Sequence, residues 1–346
     1  MIMKTKLIHI IFIIVTFLCL YSSIRVYRSF TQQYYIIADF NNQSTQDRPD
    51  SFINAIESDY PNLSLTGIPL KTIRANYYFH NDSILKGLDL LQKDIDERSN
   101  PYIMYSEATK AKLYAAMGLI DSARIYSRKA FNGLPKNPFH FAEFTRILAI
   151  DKEIDSIAKN FEKIKDSGDG QIWRVYLSSV VTFIDELEDK TLALQNAEYA
   201  LKRFESSNEI RVIALYVLYG RENTVKALDF EKEGLQHFNN KEYVDALEDF
   251  KRAYELTPLN RINQDNIAFT YFNLKNWDLT SQTLNSIENS GHILNGYQNY
   301  MYGLTLINLV QYAKACKRFN LSNSMDFTPA KEALIIYNCI TSDNKN

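Results

Sequence analysis

The chain has 346 residues, of which 46% are hydrophobic and 23% charged, a balance that supports a sizeable buried core and excludes a chain disordered by composition. Its 39 basic and 41 acidic residues leave a formal net charge of -2, so no electrostatic argument favours nucleic acid as a ligand. Only 11 glycines and 8 prolines are present, too few for a turn-rich β-sandwich.

Leu7 to Ile24, LIHIIFIIVTFLCLYSSI, is a continuous apolar run preceded by Lys4 and Lys6. At about 1.5 Å per residue it covers roughly 27 Å, enough for the hydrocarbon core of a bilayer. An export signal and a single span share this layout. Small residues at a cleavage site are poorly matched around Tyr21, Ser22 and Ser23, and Cys19 lacks the small neighbour that a lipoprotein requires. Residues 1–28 are therefore read as an uncleaved membrane anchor, with a cleaved signal peptide as the alternative. Arg25 and Arg28 flank the run as closely as the two lysines do, so flanking charge does not set the orientation. The short basic N-terminus and the long, nearly neutral remainder favour a C-terminal domain outside the cytoplasm. A cytoplasmic solenoid stays open.

Residues 29–66 read as a spacer with a possible short helix, although Tyr34 to Ile37 could prolong the anchor. From 67 to 137 apolar and small residues recur as two helix pairs, the second marked by Ala111, Ala123, Ala130 and Pro135. Residues 138–226 form less regular pairs. Phe139 to Lys165 turns near Asp151 and Lys152, and Glu209 to Tyr219 is apolar almost all round, hence buried but too short for a second span.

The clearest pattern lies between 227 and 260. Phe230, Gly234, Tyr243, Ala246, Phe250, Ala253 and Pro258 stand where two short packed helices need them: small residues at the close approach, rings filling the space, and a proline stopping the second helix. This stretch resembles a tetratricopeptide repeat (TPR), the helix-turn-helix unit of 34 residues. Ala268 and Tyr271 fall in register in the next unit, and Gly303, Tyr312, Ala315 and Phe319 in the one after, with one residue of drift. The resemblance implies an all-α fold, a superhelical solenoid of stacked helix pairs after one transmembrane helix. Residues 227–340 are its C-terminal repeats and closing helix, and 341–346 a polar tail.

In this family the first helix of each pair lines a concave groove that holds peptides or partner helices. Carried over, the groove positions include Leu235, Phe238, Asn239, Phe269, Phe272, Asn273, Tyr297, Tyr300 and Asn308. Rings would supply area and amides would pair with a peptide backbone; equally, many of these rings could pack on the next repeat. The resemblance implies a non-enzymatic scaffold for a protein or peptide. An accessory subunit of an envelope glycan polymerase, glycan ligase or secretion assembly is the alternative. Glu231, Leu235, Tyr297 and Met301 stand where carboxylate-clamping members carry basic or amide groups, which argues against such a clamp.

No motif of catalysis accompanies these repeats. The five histidines lack paired metal spacing, and phosphate loops and nucleophile elbows are missing, so neither cofactor nor metal is expected. Cys316 and Cys339, alone in separate helical segments, read as small core residues rather than a bridge.

Overall fold

A computed structural model of the chain describes residues 2–41, 48–92, 102–167, 169–187 and 189–339; the expected polar tail lies outside them. Among the described residues there are seventeen α-helices and no strand. They form two compact units, one of residues 1–179 with 185–188, the other of 180–184 with 189–346.

The first unit begins with α1 (Ile2–Asn41), a single helix. From Ile8 to Leu20 it is apolar on nearly all sides and uncovered: Phe12 is 71% and Phe17 68% exposed. The span from Ile8 to Asp39 is long and apolar enough to cross a membrane. Beyond Ile24 the same helix changes character. Ser29, Gln33, Ile36 and Asp39, spaced by three or four residues, share one face and are all buried. Residues 29–41, expected to open a spacer, thus continue α1 and dock on the first repeat. Ile36 packs with Ile53, Ile56, Leu70, Ile73 and Tyr77 of α2 (Asp50–Ala55), the segment after it and α3 (Leu70–His80). Gln32 Nε2 donates to the Ala55 carbonyl at 2.6 Å while its Oε1 accepts from the Glu57 amide at 3.0 Å. Gln33 accepts from the Leu65 amide at 2.8 Å, and buried Asp39 accepts from Tyr77 and Arg48. Side-chain amides here satisfy backbone groups that no secondary structure pairs.

The unit continues as helix pairs: α3 with α4 (Ile84–Gln92), α5 (Tyr105–Ala116) with α6 (Ile120–Gly133), and α7 (Pro138–Ile150) with α8 (Ile154–Glu162), followed by the part of α9 (Gly170–Phe183) up to residue 179. Asn137 caps α7 by accepting from the Phe139 amide, and Pro138 at the first position needs no donor partner. Rings join the pairs. Phe131 stacks on Phe144 at 4.6 Å, and Phe161 stacks on Tyr176 at 3.8 Å with Trp173 edge-on at 4.7 Å.

The second unit contains α10 (Thr191–Arg203), α11 (Asn208–Asn239), α12 (Tyr243–Leu256), α13 (Arg261–Asn273), α14 (Trp277–Asn289), α15 (Gly296–Asn308), α16 (Tyr312–Ser324) and α17 (Thr328–Ile336). Gly220, at φ +77° and ψ 165°, breaks α11 into two helical stretches. The stretch before the break, apolar in sequence, buries Ile210, Ala214, Leu215 and Val217 and leaves no residue from 210 to 219 exposed.

Packing follows the spacing read from the sequence. A Cβ added at Gly234 would lie 2.7 Å from the Phe250 ring, and one added at Gly303 would run into Phe319. In both pairs the glycine precedes the ring by sixteen residues, which is why the backbones of the two helices can approach. Ala246, Phe250, Ala253, Ala268, Tyr271, Ala315 and Phe319 are buried with them. Phe230, beneath the Arg252 guanidinium, and Tyr243 are half-buried. Pro258 and Tyr312 stand exposed, the latter at 54%, so the tyrosine does not fill the packing role expected of it.

Six of the helix pairs turn through a residue with positive φ. Asp82, Gly118 and Lys152 do so in the first unit, and Lys241, Lys275 and Val310 in the second. Their recurrence at 34 to 36 residues within each unit includes the α7–α8 pair, which the sequence left irregular.

Cys316 and Cys339 form a disulfide with Cα atoms 5.2 Å apart. This corrects the expectation of two isolated core thiols. The turn after α17 brings Cys339 back beside α16, a juxtaposition 23 residues apart in sequence that helix periodicity cannot reveal.

Candidate interaction surface of the second unit

Two features stand out in the second unit. One is a polar cleft, the other an aromatic ridge.

The cleft measures about 380 Å³ and is lined by α10, the turn before α13, the first turn of α13 and the turn before α15. Arg261 opens α13 and organises it. Its guanidinium donates to Glu205 at 2.8 Å, to the Ile293 carbonyl at 3.0 Å and to Gln298 at 3.2 Å. Glu205 also holds His292 Nδ1 at 2.7 Å. Gln298 Nε2 donates to Asp265 at 2.8 Å while the Gln298 and Asn295 side chains cap α15 reciprocally. Burial is the main influence on the Asp265 carboxyl and pushes it up to about 6, against the pull of Arg261 and Gln298. In the wall of the cleft Arg211, which precedes the Gly220 break, donates to Glu231, which follows it, at 2.9 Å, both nearly buried, with Asn260 bonded to each.

Two acidic residues that the resemblance would place in a groove are thus paired internally: Glu231 with Arg211, and Asp265 with Arg261 and Gln298. The sequence held a partial signal, since Arg261 and Asp265 stand four apart on one helix face. Nothing in it joined Glu205 to Arg261 or Arg211 to Asn260, residues brought together only by packing.

Phe269 lies one helical turn beyond Asp265 and begins the ridge. Its ring meets Tyr297 at 5.5 Å, Tyr297 meets Phe327 at 5.9 Å, and Phe327 meets Tyr300 at 5.4 Å. Tyr297 is 45% and Leu235 42% exposed. Phe269, Phe272 and Tyr300 instead pack partly against the core around Leu284 and Phe319. Phe238 is half-buried against Tyr243 at 5.3 Å. The exposed amides Asn273 and Asn308 donate to carbonyls of their own helices, and Asn239 stands exposed at the end of α11. Leu235 and Tyr297 therefore offer the most open apolar surface among the residues expected in the groove, while Phe269, Phe272 and Tyr300 are shared with the interior.

Among the described residues no three His, Cys, Asp or Glu side chains converge as a metal set. The cleft instead offers paired charges and amides beside a ridge of rings, chemistry suited to a peptide main chain with an apolar side chain.

No family model matches the sequence, and no curated protein matches it. Among solved structures the chain is similar to a tetratricopeptide repeat protein from Parabacteroides merdae, at 12% identity and TM-score 0.35 over 77% of this chain and 97% of that one. It is also similar to the Cut9–Hcn1 hetero-tetramer of APC/C, at 16% identity and TM-score 0.32 over 83% and 51% of the two chains. A third likeness is to the TPR2AB-domain:pHSP90 complex of yeast Sti1, at 15% identity and TM-score 0.28 over 68% and 96%. With scores this low, the TPR-like architecture rests on the chain's own helix pairs and on the glycine–phenylalanine contacts that set their spacing.

Proposed function

We propose that the protein is a non-enzymatic scaffold, anchored in a membrane through Leu7 to Ile24, that binds a protein or peptide on the first-helix face of the second unit. The observation carrying this reading is the exposed Tyr297 ring beside a cleft in which Arg261 is paired with Glu205 and Asp265. An aromatic anchor next to pre-paired polar groups provides contact area without leaving charge uncompensated. Tethering α1 in the bilayer keeps that face close to membrane-bound partners and raises their effective concentration. The unit lies outside the cytoplasm on this reading, which the Cys316–Cys339 disulfide supports because such bonds persist in oxidising compartments.

A photo-crosslinking residue at Tyr297 or Leu235 tests the binding face in the intact cell. The expected result is a discrete adduct from these two sites and none from Val244, which is exposed on a second helix of the same unit. Equal adducts from all three sites would refute the groove. A reporter fused after residue 346 tests topology, and activity on the cytoplasmic side would refute export.

A further inference from the structure

The docked half of α1 carries a cationic recess at a defined height above the apolar span. It has a volume of about 550 Å³ and lies between α1 and the segment after α2, lined by Arg28, Gln32, Asn54, Glu57, Ser58 and Arg74, with Asp59 at its edge. Four cations and two carboxylates meet here. Arg25 is paired with Glu57 and Lys71 with Asp59. Arg28 is exposed and has no ion-pair partner among the described residues. Arg74 donates at 3.3 Å to the Ser58 hydroxyl and at 3.5 Å to Tyr78, while its buried Nε has no acceptor. After internal pairing, two guanidinium groups remain without a carboxylate. A guanidinium fork matches the oxygens of a phosphate.

Height follows from helix geometry. Because α1 is one helix, Arg28 lies about 6 Å along the axis beyond Ile24, the last residue of the apolar run. A bilayer's polar layer extends roughly 5–7 Å beyond the hydrocarbon on each side. Arg28 therefore falls within the headgroup layer when the run spans the core. The neighbouring segment is fixed at the same level: the Tyr60 hydroxyl meets Ser22 at 2.7 Å, and Glu57 holds Arg25. A tyrosine at that depth suits the membrane–water boundary.

We propose that this recess binds the phosphate of a membrane phospholipid headgroup, with Arg28 and Arg74 as its cationic ligands and with preference for anionic lipids. The proposal rests on reading α1 as an uncleaved span. Binding there locks the first unit against the membrane surface instead of leaving it on a loose tether.

The test uses the full chain in nanodiscs of mixed phosphatidylcholine and phosphatidylglycerol, with retained lipid read by native mass spectrometry. The intact protein should retain phosphatidylglycerol preferentially. Each cation near an anionic surface is worth about fivefold, so R28A/R74A should retain about thirtyfold less, R28A about fivefold less, and R221A, in the other unit, as much as the unaltered chain. Should R74A unfold the first unit, R28A alone still decides, since that side chain is exposed. Unchanged retention in R28A would overturn the proposal, and complete displacement by inorganic phosphate would assign the recess to a soluble anion instead. Carbonate extraction and intact mass are measured on the same sample. A chain that is extracted, or that has lost its first residues, overturns the anchor reading and the lipid site together, whereas an integrated chain with indifferent lipid retention overturns the lipid site alone.

Discussion

Replacing Cys316 and Cys339 by alanine removes a cross-link whose worth follows from the loop it closes. The two residues are 23 apart, and loop-closure entropy for that length gives about 3.4 kcal/mol at 25 °C, a factor of about 300 in the opening equilibrium of the closed segment. The segment is the end of the second unit, α16 with α17, where Ala330, Ala333 and Leu334 cover the core around Phe319. Amide hydrogen exchange should therefore show α17 opening up to about 300-fold more often in the double variant, while α11 and α12 keep their protection. The same change should follow from reducing the unaltered chain. A companion assay alkylates the folded chain before and after reduction: neither cysteine should label before, and both should after. Labelling of Cys339 without reductant, or α17 protection unmoved in the variant, would refute both the bridge and the support it lends to an oxidising compartment.

Other perturbations separate packing from propensity. Gly303→Ala would gain helix propensity by about 1 kcal/mol, but its Cβ meets the Phe319 ring, and overpacking costs about 1–3 kcal/mol, so urea denaturation should show net destabilisation. Val310→Gly relieves a β-branched residue at φ +61° and should stabilise the second unit by about 0.5–1 kcal/mol, read as a raised denaturation midpoint. Tyr297→Ala should weaken partner binding by about 2 kcal/mol with the folding midpoint unchanged, whereas Phe272→Ala should lower the midpoint. The two units should also answer to pH with opposite signs. Asp265, raised to about 6 when folded, keeps its proton longer in the native state, so the second unit loses stability as pH rises from about 4 to 6, and Asp265→Asn should flatten that slope. Buried His140 is pushed down to about 4, so the first unit loses stability as pH falls from about 6.5 to 4.

Truncation bears on the anchor. A chain starting at residue 25 should stay folded, since it keeps Ser29, Gln33, Ile36 and Asp39. One starting at residue 42 should expose the face they cover and lower the melting temperature of the first unit.

The sequence by itself determined the helical class, the apolar span and the register of the last three repeats. Gly234 with Phe250 and Gly303 with Phe319 are short-range patterns, and a close approach between consecutive helices leaves its mark at fixed spacing. It also located the α7–α8 turn near Lys152, but not the regularity of the turns, because Lys241, Lys275 and Val310 are not residue types that announce a left-handed conformation. Tertiary structure alone decided the rest. Asp39 meeting Tyr77, Glu205 meeting Arg261 and His292, Arg211 meeting Asn260, and Cys316 meeting Cys339 are all long-range pairings with no period. They exist because packed helix pairs bring distant side chains together, and buried charge and buried backbone must then find partners there.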